Sequence, residues 1–242
     1  MESPFIDIHT HQRVSPPPPE GSTEIIRIYN LEPEEIGPII APFAAKSGQE
    51  AENTETAARF SAGIHPYRYL KDNELEAALQ QLDLLCQKNR IEFIGECGLD
   101  RLKGPNLDRQ LKTFRSQIDL AEQHQKPLII HGVRVYDELI RIKKQQGIKV
   151  PAIIHGFRKS PETALQLYDH GFILSFGQAI MRRESKTAKA LETLWERDLP
   201  FFLESDGSGL DIREIYGMAS NLLKISTDTL KDAIFASWKK LF

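Results

Sequence analysis

Short apolar, β-rich runs alternate along the chain with polar segments whose apolar positions recur at helical spacing. The runs are Phe5–His9, Thr23–Tyr29, Phe60–His65, Ile91–Glu96, Pro127–His131, Pro151–His155, Phe172–Phe176 and Pro200–Glu204. Amphipathic helices are predicted over Asn73–Lys88, Asn106–Gln123, Val135–Gln145, Ser160–Asp169 and Lys186–Arg197. Asn73, Asn106 and Ser160 read as N-caps, and Pro161 takes the favoured first helical position. The tail Ile212–Phe242 reads as two more helices split near Ser226, with Trp238, Leu241 and Phe242 docking on the strands. Strand, helix, strand, repeated, implies parallel strands with right-handed crossovers. Eight such strands closing on themselves make an α/β fold, a single (β/α)8 TIM-type barrel, whose reactive groups lie at the carboxyl ends of the strands.

The alternation fails twice. Pro16–Pro19 cannot start a helix beyond its first turn, so the first crossover is expected to be an extended loop. In Leu31–Asn53, Pro33, Pro38, Pro42 and Gly48 leave at most short helical turns, making the second crossover irregular as well. The length of 242 residues suits one barrel domain over residues 1–242, since such barrels run to about 250 residues. An apolar fraction of 40% excludes a disordered chain. No apolar run is long enough to span a membrane, and the start MESPFIDIHTHQ lacks the regions of a signal peptide, so a cytoplasmic protein is expected. Cys86 and Cys97 are too few for a disulfide framework, and both are expected to pack as reduced thiols. The net charge of -3 neither selects nor excludes a phosphate substrate.

His9, His11, His65, Glu96, His131, His155 and Asp206 all fall at or just after the ends of predicted strands. On a barrel they share one face. In His-x-His the two imidazoles leave the strand on the same side, so both can grip one cation. Glu96, His131, His155 and Asp206 bring the donor count above what one ion takes from protein, which fits two metals bridged by Glu96. An ion pair of that kind activates water and clamps both oxygens of a hydrolysed phosphoester, implying direct attack by metal-bound hydroxide with Asp206 as general base. Asp206 could instead cap the next helix, and Asp100 could orient a ligand or end a turn. Glu204, two residues before Asp206, fits a hydrogen-bond acceptor behind a ligand. His124 and His170 read as surface residues.

The stretches FIDIHTH, GIHPY, IGECGLD, KPLIIHGVR, IIHGF, GFILSFG and LESDG, in this order across nearly the whole chain, resemble the TatD-type metal-dependent deoxyribonucleases of the amidohydrolase superfamily. The resemblance implies one cation among His9, His11, Glu96 and Asp206 and a second among Glu96, His131 and His155. It places His65 in the same pocket, touching substrate. The implied activity is cleavage of DNA phosphodiester bonds, exonucleolytic and on single strands, with Mg or Mn; the imidazole-rich donors also suit Zn. Four departures bear on substrate: Gln12 after His-x-His, Arg134 three rather than two residues beyond His131, GSGLDIREIY after Asp206, and Ser237 in place of an Asn.

Arg68, Arg101, Arg134, Arg158 and Lys159 follow strand ends, where cations would meet phosphates, and Tyr67 and Phe157 could stack on bases. Arg68 and Arg134 are taken with His65 as substrate contacts. Two rivals stay open: a hydrolase of the same superfamily acting on another phosphoester, lactone or amide, and a non-enzymatic binding protein. The second predicts missing ligands, and none is missing. DNA is the expected partner and a monomer the expected state.

Overall fold

The computed structural model describes residues 2–11, 25–32 and 59–242. Among them, eight strands form one sheet in sequential order: β1 (Phe5–Thr10), β2 (Ile25–Leu31), β3 (Arg59–Ala62), β4 (Phe93–Asp100), β5 (Leu128–Val133), β6 (Ala152–Ile154), β7 (Phe172–Phe176) and β8 (Phe201–Leu203). Helices α1 (Asp72–Gln87), α2 (Leu107–His124), α3 (Tyr136–Gln146), α4 (Pro161–Asp169), α5 (Lys186–Glu196), α6 (Ile212–Leu223) and α7 (Thr227–Trp238) alternate with the later strands. Thr10 bridges Asp206 in parallel, so the end of β1 meets the segment leaving β8. This is the (β/α)8 class that the alternation predicts. Both irregular crossovers, with Gln12, lie outside the described residues.

By internal contacts the chain divides into two compact units, Met1–Ile28 with Ile153–Phe242, and Tyr29–Ala152. In the first, β1 is buried along its whole length, as a strand covered on both faces must be. Tyr216 of α6 clamps it, its hydroxyl accepting the Ile6 N–H at 3.0 Å and donating to the Ile6 carbonyl at 3.3 Å. In the second, α2 turns Gln110, Phe114, Gln117, Ile118 and Ala121 inward. Two glutamines on that stripe clamp backbone rather than fill space. Gln117 accepts the Ile64 N–H at 2.7 Å and donates to the Ile64 carbonyl at 3.1 Å. Gln110 does the same for Asp100, at 2.7 and 2.9 Å.

Several boundaries differ from expectation, and those of β4, β5, β3 and α1 bear on the site. β4 and β5 run past Glu96 and His131, which therefore sit inside their strands. Glycine makes this feasible: at Gly98, with φ +134°, any Cβ would fall on the His131 carbonyl oxygen, so only a bare backbone lets β4 come this close to β5. β3 stops at Ala62, leaving His65 on the following segment. Helix α1 is capped by Lys71, with Glu74 accepting the Lys71 N–H, so Asn73 belongs to the first turn. Asn106 caps α2 as expected, and Ser160 occupies the N-cap of α4 without a capping bond. Trp238 and Leu241 are buried, whereas Phe242 stays exposed beside Trp238. No helix among the described residues is long and apolar enough to cross a membrane.

Candidate metal-binding clusters

The predicted ligands gather into clusters within each unit. In the first unit, His9 is fully buried on β1 and His11 follows the strand, half exposed. Their Nε2 atoms lie 3.9 and 3.7 Å from Asp206 Oδ1. The His155 ring, just past β6, is 4.4 Å from that of His9. Backbone bonds fix the arrangement: Asp206 N–H donates to the His9 carbonyl at 3.0 Å, and His11 N–H to the Asp206 carbonyl at 3.4 Å. Asp206 has φ 47°, a left-handed conformation rare outside glycine.

Behind these ligands lies Asp7, which the sequence reading did not single out. It is fully buried and accepts the Ser205 N–H at 2.9 Å, with the Ser205 hydroxyl 2.7 Å from its other oxygen. Burial pushes its pKa up to about 7, against the Ser205 hydrogen bonds and Arg27, while Glu204 adds to the rise. Asp7 thus holds the residue next to Asp206. The available signal was parity: Asp7 sits two residues before His9 inside a buried run. Glu204 is buried too; it accepts the Gly156 N–H at 2.7 Å through Oε1, 3.7 Å from His155 Nδ1. Asp206 does not cap the next helix; Asp211 does, in a capping box with Glu214.

In the second unit His65, Glu96 and His131 converge through hydrogen bonds. Tyr67 N–H donates to His65 Nδ1 at 3.1 Å, which leaves the ring proton on Nε2 to donate to Glu96 Oε1 at 3.0 Å. His131 Nδ1 lies 2.7 Å from the same oxygen, and its Nε2 lies 3.0 Å from Asp100 Oδ2. Tyr67 hydroxyl donates to Asp100 Oδ2 at 3.0 Å, while Leu102 and Lys103 N–H groups donate to Oδ1 at 2.6 and 3.0 Å. Burial acts to raise the Asp100 pKa, but His131, Leu102, Tyr67 and Lys103 together bring it below its ordinary value. Burial and Asp100 push Tyr67 up to about 12.

Both clusters suit a divalent cation. His9, His11 and Asp206 offer ligand atoms within 4.8 Å of one another, as do His65, Glu96 and His131. A neutral imidazole has a single N–H, so His131 can donate to Asp100 or to Glu96 but not to both. A cation beside Glu96 resolves this, with Asp100 taking the N–H in the carboxylate–histidine–metal pattern.

The substrate-facing expectations fare unevenly. His65 touches Glu96, and Arg68 is spent on Glu32 at 3.1 Å. Arg134 is exposed after β5, with φ 56°. Phe157 is fully buried against Phe176, so it cannot stack on a base, and Tyr67 is held by Asp100. Cys86 and Cys97 are buried thiols whose pKa burial raises, to about 12 for Cys86. His124, expected on the surface, is partly buried with Nε2 2.6 Å from Asp83, and His170 bonds the Gln166 carbonyl at the end of α4.

Comparison with known proteins places the chain among metal-dependent hydrolases. The Escherichia coli (strain K12) protein YjjV, named an uncharacterized metal-dependent hydrolase, is 26% identical over 88% of this chain and 83% of its own length. YabD of Bacillus subtilis (strain 168), named likewise, is 32% identical over 57% of each chain. The crystal structure of E. coli YjjV, described as a TatD homolog, shares the fold with a TM-score of 0.76 and 23% identity, covering 98% of this chain and 97% of that one. The family model described as TatD related DNase matches residues 6–242, so the chain belongs to that family and is a metal-dependent hydrolase.

Proposed function

We propose that the protein hydrolyses phosphodiester bonds of DNA, releasing nucleotides from single strands, with two divalent cations, Mg or Mn, held by His9, His11, Glu96, His131, His155 and Asp206. The observation that carries this reading is the convergence of imidazoles and carboxylates, from strands far apart in sequence, into clusters of metal-ligand composition. Divalent cations so held would acidify a water and offset the charge building on the phosphate.

The chain's own residues account for the rest. Asp206 is the general base: its side chain keeps 32% of its surface exposed while His9 beside it has none, so it is the acidic group of its cluster that an incoming water can reach. Asp7 and Ser205 keep Asp206 in place from below. His65 holds Glu96 by a donated proton, and Asp100 holds His131, so both act as positioning residues in this state. Arg134 remains available to a substrate phosphate, whereas Arg68 would first have to leave Glu32. In the family-implied arrangement Glu96 serves both ions. Residues 1–242 act as one domain, in the cytoplasm and as a monomer, in keeping with the sequence reading.

The test is to chelate the purified protein, restore single metals and follow nucleotide release from end-labelled single- and double-stranded DNA. Asp206→Asn should lower turnover by about 10²–10⁴-fold, the range for a lost general base, with the fold intact by circular dichroism. DNA cleavage that survives both chelation and this substitution would overturn the proposal.

A further inference from the structure

The loops that follow β6 and β7, neighbours in the sheet and both in the first unit, are rich in cations. Arg158 and Lys159 follow β6; Arg182 and Arg183 follow β7 after a single 3-10 turn, Gln178–Met181. All four are exposed. None of them has an ion pair among the described residues. The one acid between Gly177 and Lys189 is Glu184, which faces Lys189 at 3.3 Å. Glu162, at the start of α4, is held down first by the Ser160 hydroxyl and in smaller part by Lys186, so Lys186 is left out of the group.

This cationic group adjoins the chemistry. A cavity of about 240 Å³ is lined by Arg158, Gln178, Glu204 and Asp206, so the first arginine and the general base open onto the same space. Arg158 is the one cation in that lining, which also holds the carboxylates of Glu204 and Asp206. Four unspent positive charges on adjacent loops exceed what a small monoanionic ester can use. They match a ligand that repeats its phosphate along a chain. Loops at the carboxyl ends of the strands are where this fold receives substrate.

We infer that Arg158, Lys159, Arg182 and Arg183 form a phosphate-binding crest that leads a single DNA strand into the cavity beside Asp206. The inference rests on the DNA-hydrolase reading above and assigns the strand contact to the β6 and β7 loops, in place of Arg68. Arg158 is the inner contact, and Arg182 and Arg183 take phosphates further along the strand. Phosphate contacts of this kind are indifferent to base sequence, so the crest gives affinity and direction rather than sequence choice.

Binding of fluorescent oligothymidylate to Asp206→Asn protein, in which cleavage is slowed, is measured by anisotropy across a salt series in magnesium. Arg182→Ala/Arg183→Ala, in that background, should weaken binding about tenfold and flatten the salt slope by roughly 1.4, at about 0.7 per lost phosphate contact. Arg158→Gln/Lys159→Gln should do the same. Lys88→Ala/Lys144→Ala, which removes equal charge from the far ends of α1 and α3, should leave the slope unchanged. Equal slopes for crest and control variants would overturn the inference, as would failure of the strand to bind at all. Hydrolysis of bis(p-nitrophenyl) phosphate by unsubstituted protein is assayed in parallel. Its loss, with strand binding intact, would sink the hydrolase reading and leave the crest standing.

Discussion

The two ligand clusters are built by opposite means. Around Glu96, side chains hold one another: His65, His131, Asp100 and Tyr67 are linked at 2.7–3.0 Å. Around Asp206, the imidazole-to-carboxylate distances are 3.7 and 3.9 Å, longer than hydrogen bonds, and main-chain N–H groups give the order: that of Asp206 donates to the His9 carbonyl and that of Ser205 to the Asp7 carboxylate. The first cluster has its shape before an ion arrives. The second has its backbone fixed by main-chain bonds, with the His9 ring packed against those of His11 and His155. Preorganisation by hydrogen bonds and preorganisation by main-chain clamps thus coexist in one protein, and they should fail differently.

Metal removal is the sharpest way to separate them. Stripping divalent ions should cost about 2.7 kcal/mol of stability if the ion was present at a hundred times its dissociation constant, read as a drop in Tm. Amide exchange should rise at His9–Thr10 and Ser205–Asp206 more than at Glu96–Asp100; an equal rise would break the contrast. Next in size, Asp100→Ala should weaken metal binding about 10–100-fold in a competitive chelator titration, because it removes the acceptor that orients His131. Unchanged affinity would mean that the Glu96 cluster is not held by its own hydrogen bonds. Gln117→Leu should cost about 2 kcal/mol in urea unfolding, since it strands both polar groups of Ile64 beside His65.

The smallest change concerns Glu92. Burial raises its pKa above the ordinary 4.5, and the Phe60 N–H it accepts only partly offsets that. Its folded form binds a proton more tightly than its unfolded form, so the stability it lends is present at low pH and lost as pH rises through the folded value. Glu92→Gln keeps the acceptor without the charge and should gain on wild type as pH climbs from 4 towards 7. A constant difference across that range would assign the residue no role in the pH dependence.

Much of this was legible in the sequence because burial patterns are local. Phe172–Phe176 is found at its predicted bounds, and the metal-ligand candidates gather into clusters although Glu96 and His131 lie inside their strands. What escaped was polar chemistry inside apolar patterns. Gln110 and Gln117 fall on the inward stripe of α2, where a periodicity reading sees only imperfect hydrophobicity. Asp7 hides in a buried strand for the same reason. The extension of β4 past Glu96 depends on glycines whose purpose appears only once β5 lies against them. The pairing of Arg68 with Glu32 was not legible because the two lie 36 positions apart in sequence.

The clamps on β1 also impose an order of events during synthesis. Its hydrogen bonds to Tyr216 and Ser205 join residues 210 and 198 positions apart. β1 therefore waits for the partners that hold it while about 200 further residues are synthesised. Long-range closure of this kind is slow. His9 and His11, on and just after that strand, are among the last ligands to acquire their working surroundings.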